Sequence, residues 1–253
     1  MFDLTGKVAV VTGCNTGLGQ GMAVALAQAG CDIVGVSIKP ADLTATAVQR
    51  MGRRFRHIAA DLGAAVAEEV VAEATAAFGR IDILVNNAGI IRRANALELA
   101  ERDWDDVIAV NLKAVFFLSQ AAARQFIRQQ TAGEMTGGRI VNIASLLSFQ
   151  GGIRVASYTA AKSGVLGLTR LLANEWAKYG ITVNAIAPGY METDNTAPLR
   201  ADPARSKEIL ARIPMGRWGL PSDLAGPVVF LASDASAYVT GHALAVDGGW
   251  LAR

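Results

Sequence analysis

Apolar residues fall along this chain in two alternating rhythms. Short continuous runs of four to eight, rich in valine and isoleucine, are bounded by glycine or polar residues and read as strands buried on both faces. They lie at Lys7–Val11, Asp32–Ser37, Phe55–Ala59, Ile81–Val85, Gly137–Ala144, Ile181–Ala187 and Ala243–Val246. Between them the apolar positions recur with helical spacing over Leu18–Ala29, Leu43–Met51, Ala64–Phe78, Trp104–Gln129, Ala156–Tyr179 and Asp223–Leu231. Gly30 and Gly180 stand where the first and fifth of these helices should stop. Strand and helix alternate without a break, which predicts a Rossmann-like, doubly wound α/β fold. Its parallel sheet has seven strands, helices on both faces, and a single domain spanning residues 1–253.

One stretch breaks the rhythm. From Tyr190 to Trp218 the periodicity is poor, and prolines recur at 198, 203 and 214 with a helical patch only near Ser206–Arg212. A long irregular segment directly after a strand's carboxyl end reads as a substrate lid over residues 190–218.

Composition narrows the function classes. With 52% hydrophobic residues and a formal net charge of +2, the chain has no run of like charges, so nucleic acid and anionic membrane are not expected partners. Two cysteines, Cys14 and Cys31, and two histidines, His57 and His242, form no metal-ligand cluster, and no metal is expected. The cysteine usage suits a reducing compartment. The N-terminal residues show no basic region leading into an apolar stretch, and no uninterrupted apolar run approaches the ~18 residues that span a bilayer. The expected location is the cytoplasm.

The chemistry concentrates at strand ends. Thr12-Gly13-Cys14-Asn15-Thr16-Gly17-Leu18-Gly19 joins the first strand to the first helix, the context that a dinucleotide-binding loop requires. There Gly13 permits a tight turn, Gly17 lets backbone approach a pyrophosphate, and Gly19 allows close packing, while the helix N-terminus offers N–H donors to phosphate. Further along, Ser145 ends the fifth strand, and Tyr158 and Lys162 sit four apart on one helix face. A strand tip and a helix face can converge on one carbon. Ser145 would polarise a substrate oxygen, Tyr158 would exchange its proton, and the Lys162 ammonium would lower the tyrosine pKa from its ordinary value near 10. Arg92, Arg93 and Arg154 flank these positions, with Gln150 opening the segment that leads to Arg154. A guanidinium pairs bidentately with carboxylate, so Arg93, Gln150 and Arg154 with Ser145 and Tyr158 point to an anionic sugar acid. The alternative is that these arginines pair with acidic residues at subunit contacts.

The glycine loop, Asn86-Asn87-Ala88-Gly89, Asn111, Ser145, Tyr158-Thr159-Ala160-Ala161-Lys162 and Pro188-Gly189, in this order, resemble the motif set of the short-chain dehydrogenases/reductases over essentially the whole chain. The resemblance implies strand order 3-2-1-4-5-6-7, a homotetramer, and a catalytic set of Asn111, Ser145, Tyr158 and Lys162, with Asn111 ordering a water near the lysine. It also implies a nicotinamide dinucleotide held by Gly13, Asn15, Thr16, Gly17, Leu18, Gly19, Ser37, Asp61, Leu62, Asn87, Ala88, Gly89, Tyr158, Lys162, Pro188, Gly189, Met191 and Thr193. Asp61 would bond the adenine amine or else cap the helix from Ala64, and Thr193 would hold the carboxamide. Ser37 stands where NAD-preferring members often carry aspartate, and Thr16 stands where NADP-dependent ones often carry a basic residue. The expectation is NAD, with NADP kept open by Lys39. Other readings are a ketoreductase of acyl thioesters or steroids, and a cofactor-binding sensor without catalysis.

Overall fold

A computed structural model describes residues 1–253. Seven parallel strands form one sheet in the order β3-β2-β1-β4-β5-β6-β7. They are β1 (Val8–Thr12), β2 (Asp32–Ser37), β3 (Phe55–Ala59), β4 (Ile83–Asn86), β5 (Arg139–Ile143), β6 (Thr182–Pro188) and β7 (Ala243–Val246). The chain runs outward from β1 to β3, returns to β4 beside β1, and proceeds to β7. The order therefore reverses between β1 and β4, and the crevice beyond their carboxyl ends is where such sheets take ligands.

Side-chain parity in the strands divides the core in two. Ala9 and Val11 of β1 pack into a cluster with Met22 and Leu26 of α1 (Gly17–Gln28), Val48 of α2 (Asp42–Arg50) and Val228 and Leu231 of α9 (Ala225–Ala232). Val8 and Val10 point the other way. They join Val70 and Val71 of α3 (Ala67–Phe78), Leu118 and Phe126 of α5 (Ala114–Thr131), and Leu172 of α6 (Ala156–Trp176). Burial on both faces explains why these strands read as unbroken apolar runs.

Several boundaries differ from the pattern-based expectation. The long helix begins earlier, as α4 (Glu101–Ile108), passes through a π-helical turn at Ala109–Lys113, and only then continues as α5. The combined run Glu101–Thr131 is long and apolar enough to cross a bilayer, yet half of its most apolar window is buried in the protein. That apolarity serves the core. α3 starts at Ala67 rather than Ala64, so Asp61 is not its cap; its carboxylate instead accepts from the Gly63 N–H at 2.9 Å.

The stretch 190–218 is more ordered than its periodicity suggests. It holds α7 (Ala197–Ala201) and α8 (Pro203–Arg212), the latter started by Asp202, whose side chain accepts from the N–H groups of Ala204 and Arg205. Asp-Pro is a legible start signal that periodicity alone passes over. Ile209, Ile213 and Trp218 of this stretch pack with Leu146 and Trp250 into a small apolar cluster of their own.

Gly19 is the tightest joint between fold and site. A Cβ there would overlap the Gly13 carbonyl oxygen and the Asn87 side-chain amide. Gly19→Ala should displace the glycine loop, lowering Tm by several degrees, as for an overpacking cost of about 1–3 kcal/mol, and weakening dinucleotide binding at least about tenfold. Thermal unfolding and a cofactor titration check both.

Candidate active site

The crevice floor is stitched together by side-chain hydrogen bonds. The Thr12 hydroxyl at the end of β1 donates to the Val85 carbonyl at 3.3 Å and accepts from the N–H groups of Asn87 and Ala88, each at 2.9 Å. Asn87 returns the tie, its amide donating to the Thr12 carbonyl at 2.9 Å. One layer below, the Asn86 amide donates to Asn142 on β5 at 2.9 Å and to Ser119 on α5 at 3.0 Å, and Asn142 donates to Thr169 on α6 at 3.0 Å. Asparagine here joins strands and helices rather than making a simple turn.

Above this floor lies a cleft of about 260 Å³. Its walls bring together Gly13, Asn15, Thr16, Gly17, Leu18 and Gly19 from the loop, Asn87, Ala88 and Gly89 from beyond β4, Tyr158 and Lys162 from α6, and Thr193 from the opposite rim. Gly13 and Gly17 have φ of +65° and +57°, a backbone that favours glycine, so no Cβ projects into the space. The Thr193 methyl lies 3.5 Å from where a Gly17 Cβ would stand, so the rim reaches across to the loop. A glycine loop opening onto the N-terminus of α1 at one end and a tyrosine-lysine pair at the other suit an extended dinucleotide.

Ile143, Asp194 and Asn195 also line the cleft and were not singled out by sequence. Ile143 carries no polar signal, and Asp194 and Asn195 were hidden in the irregular stretch. Conversely, several expected residues lie off this cleft wall. Ser37 is buried at the end of β2, its hydroxyl donating to the Lys39 carbonyl at 2.8 Å and lying 3.0 Å from His57 Nε2. Leu62 is a core residue and Asp61 closes the turn described above. Pro188 ends β6, while Gly189 and Met191 line a separate cavity of about 200 Å³ with Met215 and Asp247. Asn111 is fully buried in the π-helical turn, and its side chain is spent on one residue. Its amide oxygen accepts from the Ile90 N–H at 2.9 Å and its nitrogen donates to the Ile90 carbonyl at 2.8 Å.

The arginines separate into different roles. Arg92 pairs within its own chain with Asp103 at 3.5 Å and Asp106 at 3.4 Å, which removes it as a free carboxylate receptor. Arg93 reaches across the mouth to donate to the Asn195 carbonyl at 2.9 Å. Arg154 is the one non-glycine residue with positive φ, at +64°, and its carbonyl accepts from the Ala94 N–H at 3.2 Å, zipping its loop to that of Arg93. Gln150 faces elsewhere: its amide oxygen accepts from Trp250 Nε1 and from Arg212 of α8, both at 3.2 Å.

Electrostatics at the tyrosine depart from the simple picture. Burial pushes the Tyr158 hydroxyl above its ordinary pKa, against the opposing pull of the neighbouring Ser145 hydroxyl and the Arg93 charge. Lys162 Nζ sits 5.6 Å from the Tyr158 ring centroid and donates to the Ile143 carbonyl at 2.6 Å. Arg93 thus adds a positive charge toward Tyr158, beside the Lys162 ammonium that stands over its ring. Lys162 is itself 3% exposed, and burial pulls its pKa down to about 8.

The sequence profile of the family described as enoyl-(acyl carrier protein) reductase matches residues 13–251. A 2-dehydro-3-deoxy-D-gluconate 5-dehydrogenase of Escherichia coli (strain K12) is 66% identical over 100% of this chain and 98% of its own. The chain belongs to the short-chain dehydrogenase/reductase family. Among solved structures, a putative 2-deoxy-D-gluconate 3-dehydrogenase from Agrobacterium tumefaciens with bound NADP superposes with a TM-score of 0.92 at 56% identity, covering 100% of this chain and 99% of its own. A putative NAD(P)-dependent gluconate 5-dehydrogenase from Beutenbergia cavernae, with NADP at low occupancy, gives 0.93 at 48% identity, with 100% and 99% covered. This short-chain dehydrogenase/reductase is accordingly an oxidoreductase that works with a nicotinamide cofactor.

Burial of the lysine has a measurable consequence for stability. The folded pKa of Lys162, about 8, lies below the 10.5 of an exposed lysine. Its cost is full below the folded value and disappears as pH rises through the unfolded one. Stability should therefore rise between those limits, by up to about 3 kcal/mol relative to Lys162→Met, which lacks the titration. Urea unfolding of both proteins from about pH 7 to pH 10 reads the difference; a difference flat with pH would contradict it.

Proposed function

We propose that this enzyme interconverts a secondary alcohol and a ketone on a hexonate-type sugar acid, with 2-dehydro-3-deoxy-D-gluconate and its 2,5-diketo counterpart as the substrate pair. The observation that carries the substrate class is Arg93. It is a cation at the cleft mouth, near enough to act on Tyr158, and held only by a neutral carbonyl that a carboxylate would displace. Arg154, whose backbone carbonyl ties its loop to that of Arg93, is the second arginine this reading assigns to the substrate carboxylate. The likeness to sugar-acid dehydrogenases over the full chain supports the same substrate class.

In the oxidative direction Ser145 holds the substrate oxygen and Tyr158, as phenolate, takes the hydroxyl proton. In reduction Tyr158 gives that proton back to the forming alkoxide. The nicotinamide, when bound, accepts or supplies the hydride. Lys162 and Thr193, which line the cleft, would hold its ribose and carboxamide end, and Asn111, by fixing Ile90, keeps the loop beyond β4 in place. Asp61, Leu62, Pro188, Gly189 and Met191 frame the site from outside the main cleft. Residues 190–218 act as the lid, closed by Arg93 on Asn195 and hinged on the Trp218–Trp250 cluster. The same reading has the enzyme working in the cytoplasm as a homotetramer.

For the cofactor, NADP is the better assignment than the expected NAD. Ser37 ends β2 without a carboxylate and its hydroxyl is already spent on the Lys39 carbonyl, so nothing there repels a 2′-phosphate, and Lys39 is exposed to meet it. NADP bound in similar structures supports this.

Initial rates on keto-hexonates, their carboxamide analogues, acetoacetyl thioesters and simple ketones test the substrate. The acid should be preferred, and Arg93→Met should raise its KM by about ten- to a hundredfold, the worth of a charge-assisted hydrogen bond. Equal use of acid and amide would defeat carboxylate recognition.

Titration with each dinucleotide tests the other half. NADPH should bind at least as tightly as NADH, and Lys39→Glu should weaken NADPH about fivefold or more while leaving NADH nearly unchanged. Tighter NADH binding by the unaltered enzyme would restore the NAD assignment.

A further inference from the structure

The catalytic groups come from two separate elements, and proton transfer tolerates little error in their spacing. Ser145 lies at the start of a short turn, Leu146–Ser148, beyond β5, whereas Tyr158 and Lys162 ride on α6. The turn is closed on itself. Ser145 Oγ accepts from the Leu147 N–H at 3.2 Å, the Ser148 N–H donates to the Ser145 carbonyl at 3.0 Å, and the Ser145 N–H donates to Ser148 Oγ at 3.3 Å.

One further bond leaves this box. The Ser148 hydroxyl donates its proton to the Lys162 carbonyl at 2.6 Å. A hydroxyl has one proton and two lone pairs, so it can accept from Ser145 and donate to Lys162 at once. The remaining side-chain tie between turn and helix, from Ser163 Oγ to the Leu147 carbonyl, is longer at 3.4 Å and exposed. At its other end Lys162 is anchored to β5 through Nζ and the Ile143 carbonyl. Helix and strand tip are thus clamped at two points around the tyrosine, and Ser148 is one of them.

We propose that Ser148 is a positioning residue for the proton-transfer step, a single hydroxyl that sets the separation of Ser145 from Lys162. It touches neither substrate nor cofactor, and acts through the two groups it joins. This inference rests on the roles assigned above to Ser145, Tyr158 and Lys162. Without the hydroxyl, the Ser145 N–H and the Lys162 carbonyl lose their shared partner, and the turn can slide along α6. Tyr158 then meets Ser145 at the wrong distance while the glycine loop, on the far wall, is undisturbed.

The test compares Ser148→Ala with Ser148→Thr, which keeps the hydroxyl. In Ser148→Ala, kcat should fall about ten- to a hundredfold, the cost of a misplacement of about 1 Å, with substrate KM and NADPH affinity within about threefold and Tm little changed. Ser148→Thr should return kcat to within about threefold of the unaltered enzyme. A second reading needs no substrate. Tyrosinate absorbance of the cofactor-bound protein, minus that of its Tyr158→Phe counterpart, should move to higher pH in Ser148→Ala and return in Ser148→Thr. An unchanged kcat in Ser148→Ala, equal impairment of both variants, or an unmoved titration would overturn the proposal. Rates are taken on whichever ketone the unaltered enzyme reduces. Failure on hexonates alone therefore counts against the substrate assignment and leaves this comparison intact.

Discussion

The threonine hydroxyl at the tip of β1 governs the geometry of the whole ligand-binding edge. β1 and β4 are neighbours in the sheet, but their onward connections leave in opposite directions, and the crevice between them would widen without a cross-tie. Thr12 supplies it with one donated and two accepted hydrogen bonds, and the Asn87 amide completes it from the other side. Thr12 is buried, so leaving its hydroxyl unpaired would cost about 1–3 kcal/mol. Gly19 can then sit against Gly13 and Asn87 without a side chain, and the helix N-terminus of α1 is delivered to the crevice at a fixed height.

From that reference the site is built outward by progressively weaker ties. Asn86, Asn142, Ser119 and Thr169 form a buried chain of hydrogen bonds that links the sheet to α5 and to α6, the helix of Tyr158 and Lys162. Ser148 carries the linkage to the catalytic turn, and Arg93 carries it across open solvent to the rim. The gradient runs from fully buried amides to an exposed guanidinium. Rigidity follows the same gradient, since exposed charged contacts exchange readily with water and salt.

The seven strands were legible in the chain because burial on both faces writes itself as uninterrupted runs of valine and isoleucine, whereas their order, β3-β2-β1-β4-β5-β6-β7, followed only from the family resemblance. The residues that meet on one cleft wall, the glycine loop with Tyr158 and Lys162, could be picked out because each stands as a particular residue type at a strand end or on one helix face. What periodicity missed follows from physics that it does not sample. The segment 190–218 buries Ile209, Ile213 and Trp218 against Leu146 and Trp250, partners far apart in sequence, so its helices lack a regular apolar stripe. Partners distant in sequence or on the next helix, Trp250 and Arg212 for Gln150 and a pair of aspartates for Arg92, are what the order of motifs along the chain does not show. The Arg93 charge that also favours the tyrosinate comes from a loop beyond β4, a contribution that the spacing of Tyr158 and Lys162 on one helix does not encode.

The π-helical turn at Ala109–Lys113 changes how the length of that helix should be understood. A π turn is a helix carrying one residue more than its ladder requires. Deleting a single residue there would restore regular winding, and the faces that α4 and α5 present to the core could remain in register. What would vanish is the bulge that swings Asn111 onto Ile90. Such a deletion would thus spare the packing of the two helices on the core while freeing the Ile90 backbone groups, so its effect would fall on the loop beyond β4. The extra residue marks a place where the length of the chain is set by the loop that the helix must hold rather than by the helix itself.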